Sequence, residues 1–200
     1  MNPQTIRDIG KGEYKNRGSK FYSFAHPINN LEDYKHLLSI YKNNFPEACH
    51  VCSAYRLFVG SRIDEQACDD GEPKGSSGQP ILNHLKSYDL VNAAIYVVRI
   101  FGGSLLGIPG LIDSYSNAAL ISIDNSKLAN WYIKKNLNLV FSYEYQGLIE
   151  SAMREFSGKI EKKNFSDNIS MTISFNESDI HLFKSKIKDL SGGKIIPVID

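Results

Sequence analysis

The chain is poor in the features that assign a protein quickly. Three cysteines cannot build a disulfide framework, which agrees with a reducing compartment. There is no apolar run of about 18 residues, so no membrane-spanning helix is expected, and residues 1–10 contain no apolar core of signal-peptide type. Neither sign of charge dominates. The 23 basic and 22 acidic side chains leave a net charge of +1, which excludes a strongly basic nucleic-acid coat protein and an acidic tail protein. Also missing are a second Cys-x-x-Cys, a Gly-x-Gly-x-x-Gly, internal repeats and low-complexity segments. What is present is 42% hydrophobic and 22% charged residues over 200 positions, material for one large or two small globular domains. A soluble cytoplasmic protein is expected.

Two parts are expected, divided at the turn-forming run Asp124-Asn125-Ser126. In 1–124, a polar lead precedes a strand at 19–28. A helix follows at 31–45, with Leu31, Tyr34, Leu38 and Tyr41 at helical spacing and Pro46 as its stop, and then a strand at 49–59. Residues 61–77 read as a long loop dense in Gly, Asp and Pro, and loops of that length are often functional. A short helix at 79–87 leads to an almost wholly apolar strand at 93–101, expected to be buried on both faces. A Gly-rich turn at 102–110 and a helix at 111–122 complete this part. In 125–200 the pattern is a strand at 137–145, a helix at 148–156 and a hairpin of strands 159–165 and 169–175. A helix lined by Ile180, Phe183, Ile187 and Leu190 then ends at Gly192-Gly193, and a strand at 194–199 closes the chain. That order, β-α-β-β-α-β, is the ferredoxin-like layout. The expected fold class is α+β.

The densest stretch is Asp69-Asp70-Gly71-Glu72-Pro73-Lys74-Gly75-Ser76-Ser77-Gly78-Gln79-Pro80-Ile81-Leu82. It joins Arg99-Ile100-Phe101-Gly102-Gly103, Gly18-Ser19-Lys20-Phe21, His50-Val51-Cys52-Ser53-Ala54-Tyr55-Arg56, and the run from Leu106-Gly107 through Ala119. Together these resemble the IMPACT/YigZ family in its bacterial two-domain form. The resemblance covers nearly the whole chain, though the second half is matched more by layout than by motif. It implies a first domain (1–124) similar to a domain of a small-subunit ribosomal protein. It implies a second (125–200) similar to the last ferredoxin-like domain of the translocating elongation factor. It also implies a role near translation or nucleic acid; eukaryotic members of the family modulate a stress-kinase pathway by competing for a protein partner. Family membership names a fold better than a function. The chain departs from the family pattern at one turn. Leu105 stands where a lysine is usual, and Pro109-Gly110-Leu111 with Asp113 replaces a Gly-Gly-Leu-x-Arg stretch, so two cations are lost and an acid is gained.

Each candidate group has a bland reading beside a chemical one. Gly102 and Gly103 open a strand-to-helix turn where free N–H groups attract anions. However, Gly107 is followed by Ile108-Pro109 rather than Lys-Ser/Thr, which argues for a tight packing turn. Asp69, Asp70 and Glu72 could hold a hard cation or do acid–base work. Arg99, on an otherwise apolar strand, favours structural pairing with one of the three. Ser76 and Ser77, with His50 and Asp70, could form a triad, but the nucleophile-elbow spacing is absent and the serines read better as caps of the following helix. Cys49-His50-Val51-Cys52 could ligate zinc, yet on a strand its two thiols face opposite sides, so packed thiols are expected and no metal or cofactor.

The net charges of the two parts, −1 and +2, give no strong electrostatic footprint for nucleic acid. Lysines do gather in the second part, at 134, 135, 159, 162, 163, 184, 186, 188 and 194. The open sheet face there offers Ser142, Glu144, Ser170, Thr172 and Ser174, without aromatics on which bases could stack. The reading is a translation-associated accessory protein that binds RNA, the ribosome, a translation factor or another regulatory protein, without catalysis and away from membranes. The alternative is an enzyme acting on a small phosphorylated or acyl substrate through the acidic loop and His50. The candidate surface lies where the 69–80 loop meets the 102–110 turn, with Lys20, Arg56 and Arg99 expected nearby.

Overall fold

The computed structural model describes residues 3–199; Met1 and Asn2 of the leading segment and Asp200 of the second part lie outside it. Two compact units divide the chain, residues 1–131 and 132–200. The division falls later than Asn125 because the chain returns after its longest helix to add one more strand to the first unit.

The first unit runs β1 (Gln4–Asp8), β2 (Gly10–Asn16), β3 (Ser19–Pro27), α1 (Leu31–Asn44), β4 (His50–Val59), β5 (Arg62–Cys68), α2 (Gly78–Ser87), β6 (Ala93–Ile100), α3 (Gly107–Asp124) and β7 (Lys127–Asn130). Five strands form one antiparallel sheet in the order β2-β3-β6-β4-β5, and β1 pairs with β7 apart from it. The apolar run of β6 is central and buried on both sides. Ala93, Ile95 and Val97 face α2 and α3, while Ala94, Tyr96 and Val98 face α1. Helix α1 starts where Asn30 accepts the Asp33 N–H at 2.8 Å, and it places Tyr34 and Tyr41 on the sheet. The crossovers β3-α1-β4 and β5-α2-β6 run in opposite directions between oppositely directed strands, and their helices lie on opposite faces. They therefore have opposite hands, and one departs from the right-handed preference. The result sets α2 beside α3, on the face that carries Arg99.

Three readings of this unit need correction. The long loop expected at 61–77 begins as strand β5, paired along its length with β4. It is an edge strand exposed from Arg62 to Gln66, so it shows no apolar alternation. The polar lead likewise contains β1 and β2, and β2 is the opposite edge of the sheet. Helix α3 also starts earlier than expected, at Gly107, inside the Gly-rich turn.

The second unit runs β8 (Lys134–Phe141), α4 (Gln146–Glu155), β9 (Lys159–Phe165), β10 (Ile169–Asn176), α5 (Ile180–Leu190) and β11 (Val198–Ile199). Its sheet order is β11-β8-β10-β9, all antiparallel, which is the ferredoxin-like arrangement. Leu137, Leu139 and Phe141 of β8 and Ile169, Met171, Ile173 and Phe175 of β10 pack against Ile149, Met153, Phe183 and Ile187 of the helices. β8 stops at Phe141, and Tyr143–Tyr145 form a 3-10 turn rather than the end of the strand. Helix α5 ends with the Gly193 N–H donating to the Lys188 carbonyl and Gly192 at φ +60°. Among the described residues no helix is long and apolar enough to cross a membrane.

Candidate functional site

The acidic loop is built from the end of β5. Gly78 has no room for a Cβ, because the Cys68 backbone lies within 2.9 Å of that position, so the first turn of α2 presses against the strand end. This puts Asp69 at the N-terminus of α2. Its Oδ1 accepts from the Ser77 and Gly78 N–H groups and the Ser77 hydroxyl, and its Oδ2 accepts from the Gly75 N–H. Burial alone would raise the Asp69 pKa, but these donors overrule it and hold the carboxyl below its usual range. The serines were expected to cap α2, but the carboxylate does so. A full negative charge suits the positive end of the helix dipole better than a hydroxyl, and the Ser77 hydroxyl donates to Asp69 instead of accepting. Ser76 donates to the Pro73 carbonyl.

Asp70 is held on both sides. Its carboxylate accepts from the Val51 N–H at 2.7 Å and from Lys42 at 2.6 Å. Its carbonyl accepts from His50 Nδ1 at 2.8 Å. Ser76, Ser77 and His50 each bond elsewhere, so no triad is assembled. Among the described residues no cluster of three or more His, Cys, Asp or Glu is placed to hold a metal ion. Cys49 is exposed just before β4, whereas Cys52 is buried and bonded to the Asp69 carbonyl and the Tyr115 hydroxyl. Burial pushes the Cys52 thiol up to about 12, which keeps it protonated.

Of the three acids offered to Arg99, Glu72 takes it. Arg99 Nη1 donates to Glu72 Oε1 at 2.6 Å, and the two side chains are only 7% and 3% exposed. The Tyr115 hydroxyl of α3 donates to the same oxygen at 2.9 Å. Beneath lies the Phe21 ring, 5.7 Å from the guanidinium carbon, and Phe101 lies at the same distance. Among the described residues the buried Nε of Arg99 has no partner.

Arg99 and Glu72 open onto a cleft of about 440 Å³. Its polar lining comes from β4, β6 and the acidic loop, with His50 opposite Arg99 in the β4–β6 register. The apolar lining comes from the Gly-rich turn and the start of α3: Phe101, Leu105, Leu106, Ile108 and Leu111. Leu105 is 85% exposed and Ile108 56%. The turn is fixed by Gly102, where a Cβ would run into the backbone of Gly18 and Ser19. Gly103, at φ +86°, has open space around it.

Two sequence candidates lie elsewhere. Lys20 pairs with Ile100 across β3 and β6 and is exposed. Its neighbour Phe21 is the residue beneath Arg99, so Lys20 points to the other face of the sheet. Arg56, six residues along β4 from His50 and so roughly 20 Å away, is buried at the other end of the sheet. It donates to the Leu85 and Leu90 carbonyls and pairs with Glu65 at 3.2 Å and Asp89 at 3.5 Å. Arg56 holds the end of α2 and is not a surface group. The β4 alternation His50, Cys52, Ala54 pointed inward to it. Sequence reasoning did not name Phe101 or Ile108 as site residues, or Tyr115. The signal was the apolar sequence Leu105-Leu106-Gly107-Ile108, too dense for every side chain of one turn to face inward.

The Impact N-terminal domain matches residues 17–123, and a domain of unknown function (DUF1949) matches residues 139–194. The IMPACT family member YvyE of Bacillus subtilis is 26% identical over 95% of this chain and 87% of its own. An IMPACT family member of Haemophilus influenzae is 29% identical over 89% and 87%. A solved structure, titled only as that of a hypothetical protein, shares the fold with a TM-score of 0.70 at 21% identity, covering 99% of this chain and 97% of that one. The first match spans more than half of the chain and takes in both sides of the cleft, so the chain belongs to the IMPACT family.

Proposed function

We propose that the protein is a translation-associated accessory factor that works by occupying a partner, be it the ribosome, an RNA or a translation factor, and not by turnover. The translational setting comes from the family resemblance. The observation that carries binding over catalysis is the state of the acidic loop. Asp69 caps a helix, Asp70 clamps β4 and Lys42, and Glu72 neutralises Arg99, so each carboxylate is committed to holding the fold. The 69–80 loop and the 102–110 turn then serve as a rigid frame for a contact surface. Co-sedimentation of the full chain with purified ribosomes across a salt series tests this. Association that persists near physiological salt is the expected result, and no association at any salt, either with ribosomes or with total RNA and purified translation factors in the same assay, overturns it.

One observation favours the enzymatic alternative. His50 lines the cleft and donates through Nδ1 to the Asp70 carbonyl, so Nε2 is the ring nitrogen available for acid–base work. Turnover of a panel of acyl and phosphoryl esters, lost in His50→Ala with the fold retained, would replace the binding proposal. No turnover in the unaltered chain removes the alternative.

A further inference from the structure

We infer that the cleft receives an apolar side chain from a protein partner, with the unclaimed N–H edge of Arg99 bonding the main-chain carbonyl beside it. The inference rests on the binding reading above and chooses the chemistry of the partner. Three features of the cleft lead to it. The first is charge. RNA recognition depends on cations that neutralise phosphates, yet among the described residues Arg99 is the one Lys or Arg in the lining, beside His50, and Glu72 already balances it. A neutral pair with spare donors suits a neutral acceptor, and a peptide carbonyl is the commonest one. The second is the unsatisfied donor. A guanidinium carries five N–H groups, and among the described residues this one makes a single hydrogen bond, to Glu72. Its Nε is buried without a partner, a costly state that a ligand oxygen seated against the guanidinium and a small rotation would relieve. The third is the rim. Leu105, Ile108 and Phe101 stand exposed around the opening, and apolar groups gathered beside a concave polar floor mark an interaction site rather than scattered surface residues. Four of the nine lysines of the second unit are already balanced. Lys135, Lys159, Lys163 and Lys186 each pair with a carboxylate.

The test is NMR titration of the full chain with three probes. They are a capped pentapeptide (acetyl-Gly-Gly-Phe-Gly-Gly-amide), its all-glycine counterpart and inorganic phosphate. The phenylalanine peptide is expected to shift the Arg99 Nε–H, Phe101, Leu105 and Ile108 resonances and to saturate, while the glycine peptide and phosphate leave them in place. Leu105→Asp and Ile108→Asp, both at exposed positions, should each weaken that binding by at least roughly tenfold with the remaining spectrum unchanged. Saturation by phosphate instead, unaltered binding in both variants, or no shift from the peptide at tens of millimolar would each overturn the inference. Failure of the wider reading looks different: the chain would bind the peptide in its cleft yet ignore ribosomes.

Discussion

The acidic loop at 69–78 and the glycine-rich turn at 101–108 face each other across one cleft and are built in opposite ways. The loop is crowded with carboxylates and hydroxyls, and nearly all of them turn inward onto backbone N–H groups, Lys42 or Arg99. The turn is made of leucine, isoleucine, phenylalanine and glycine with one serine, and Phe101, Leu105 and Ile108 stand in solvent while Leu106 is buried. Chemical density therefore marks the scaffold in this protein, and bland side chains make the accessible surface. A dense polar motif is as well explained by the need to satisfy the N-terminus of a helix and one buried arginine as by catalysis.

The contrast breaks most sharply at Glu72. Glu72→Ala leaves the Arg99 charge buried and unpaired and removes the acceptor of the Tyr115 hydroxyl, and loss of one member of a buried pair costs about 3–5 kcal/mol. Urea unfolding followed by tryptophan fluorescence reads the first unit alone, because Trp131 is the sole tryptophan and packs 4.9 Å from Phe58 between ring centroids. A midpoint within error of the unaltered chain would mean that the loop is not scaffold.

Arg56→Ala comes next. The Leu85 and Leu90 carbonyls lose their donor and Glu65 loses a partner, for a loss of about 2–3 kcal/mol in the same assay. The sequence places this arginine near the candidate surface, whereas the structure buries it against the end of α2. The difference shows what was legible. Periodicity exposed the elements whose faces differ: β6 as an unbroken apolar run, β10 as strict alternation, α1 by its Leu31-Tyr34-Leu38-Tyr41 spacing. It hid β2 and β5, because an edge strand with polar residues on both faces has no periodic signal (Arg62, Asp64, Glu65 and Gln66 are all exposed). The pairing of Arg99 was readable because a charge on an apolar strand demands a partner. The same argument applied to Arg56, two residues beyond Ala54 on the inward face of β4. Which acid would meet Arg99 was not readable, since the choice depends on the Asp70-Gly71 turn, with φ +45° and +91°, that aims Glu72 inward.

Asp69→Asn sharpens the comparison through pH. The folded carboxyl lies below its ordinary 3.8, so its contribution is full above that value and is lost as pH falls further, through the folded-state pKa. The asparagine variant exchanges bonds to a charged acceptor for weaker neutral ones, should be less stable by about 1–2 kcal/mol at neutral pH, and should lack this part of the acid-induced loss. Equal acid sensitivity in the two proteins would show that the loop is held by something other than this cap.

The smallest effects fall on the exposed side of the comparison. Lys20→Ala and Leu105→Ser should each change stability by no more than about 0.5 kcal/mol, because neither side chain is buried and neither carries a bond that the fold requires. Their value lies in how they differ under binding. Lys20 faces away from the cleft, so its removal should leave the affinity for the phenylalanine peptide unchanged. Leu105 stands at the opening, so its removal should lower that affinity while the unfolding curve stays in place. If Leu105→Ser instead destabilised the first unit by more than about 1 kcal/mol, the exposed turn would be part of the scaffold after all, and the division of labour between the two sides of the cleft would not hold.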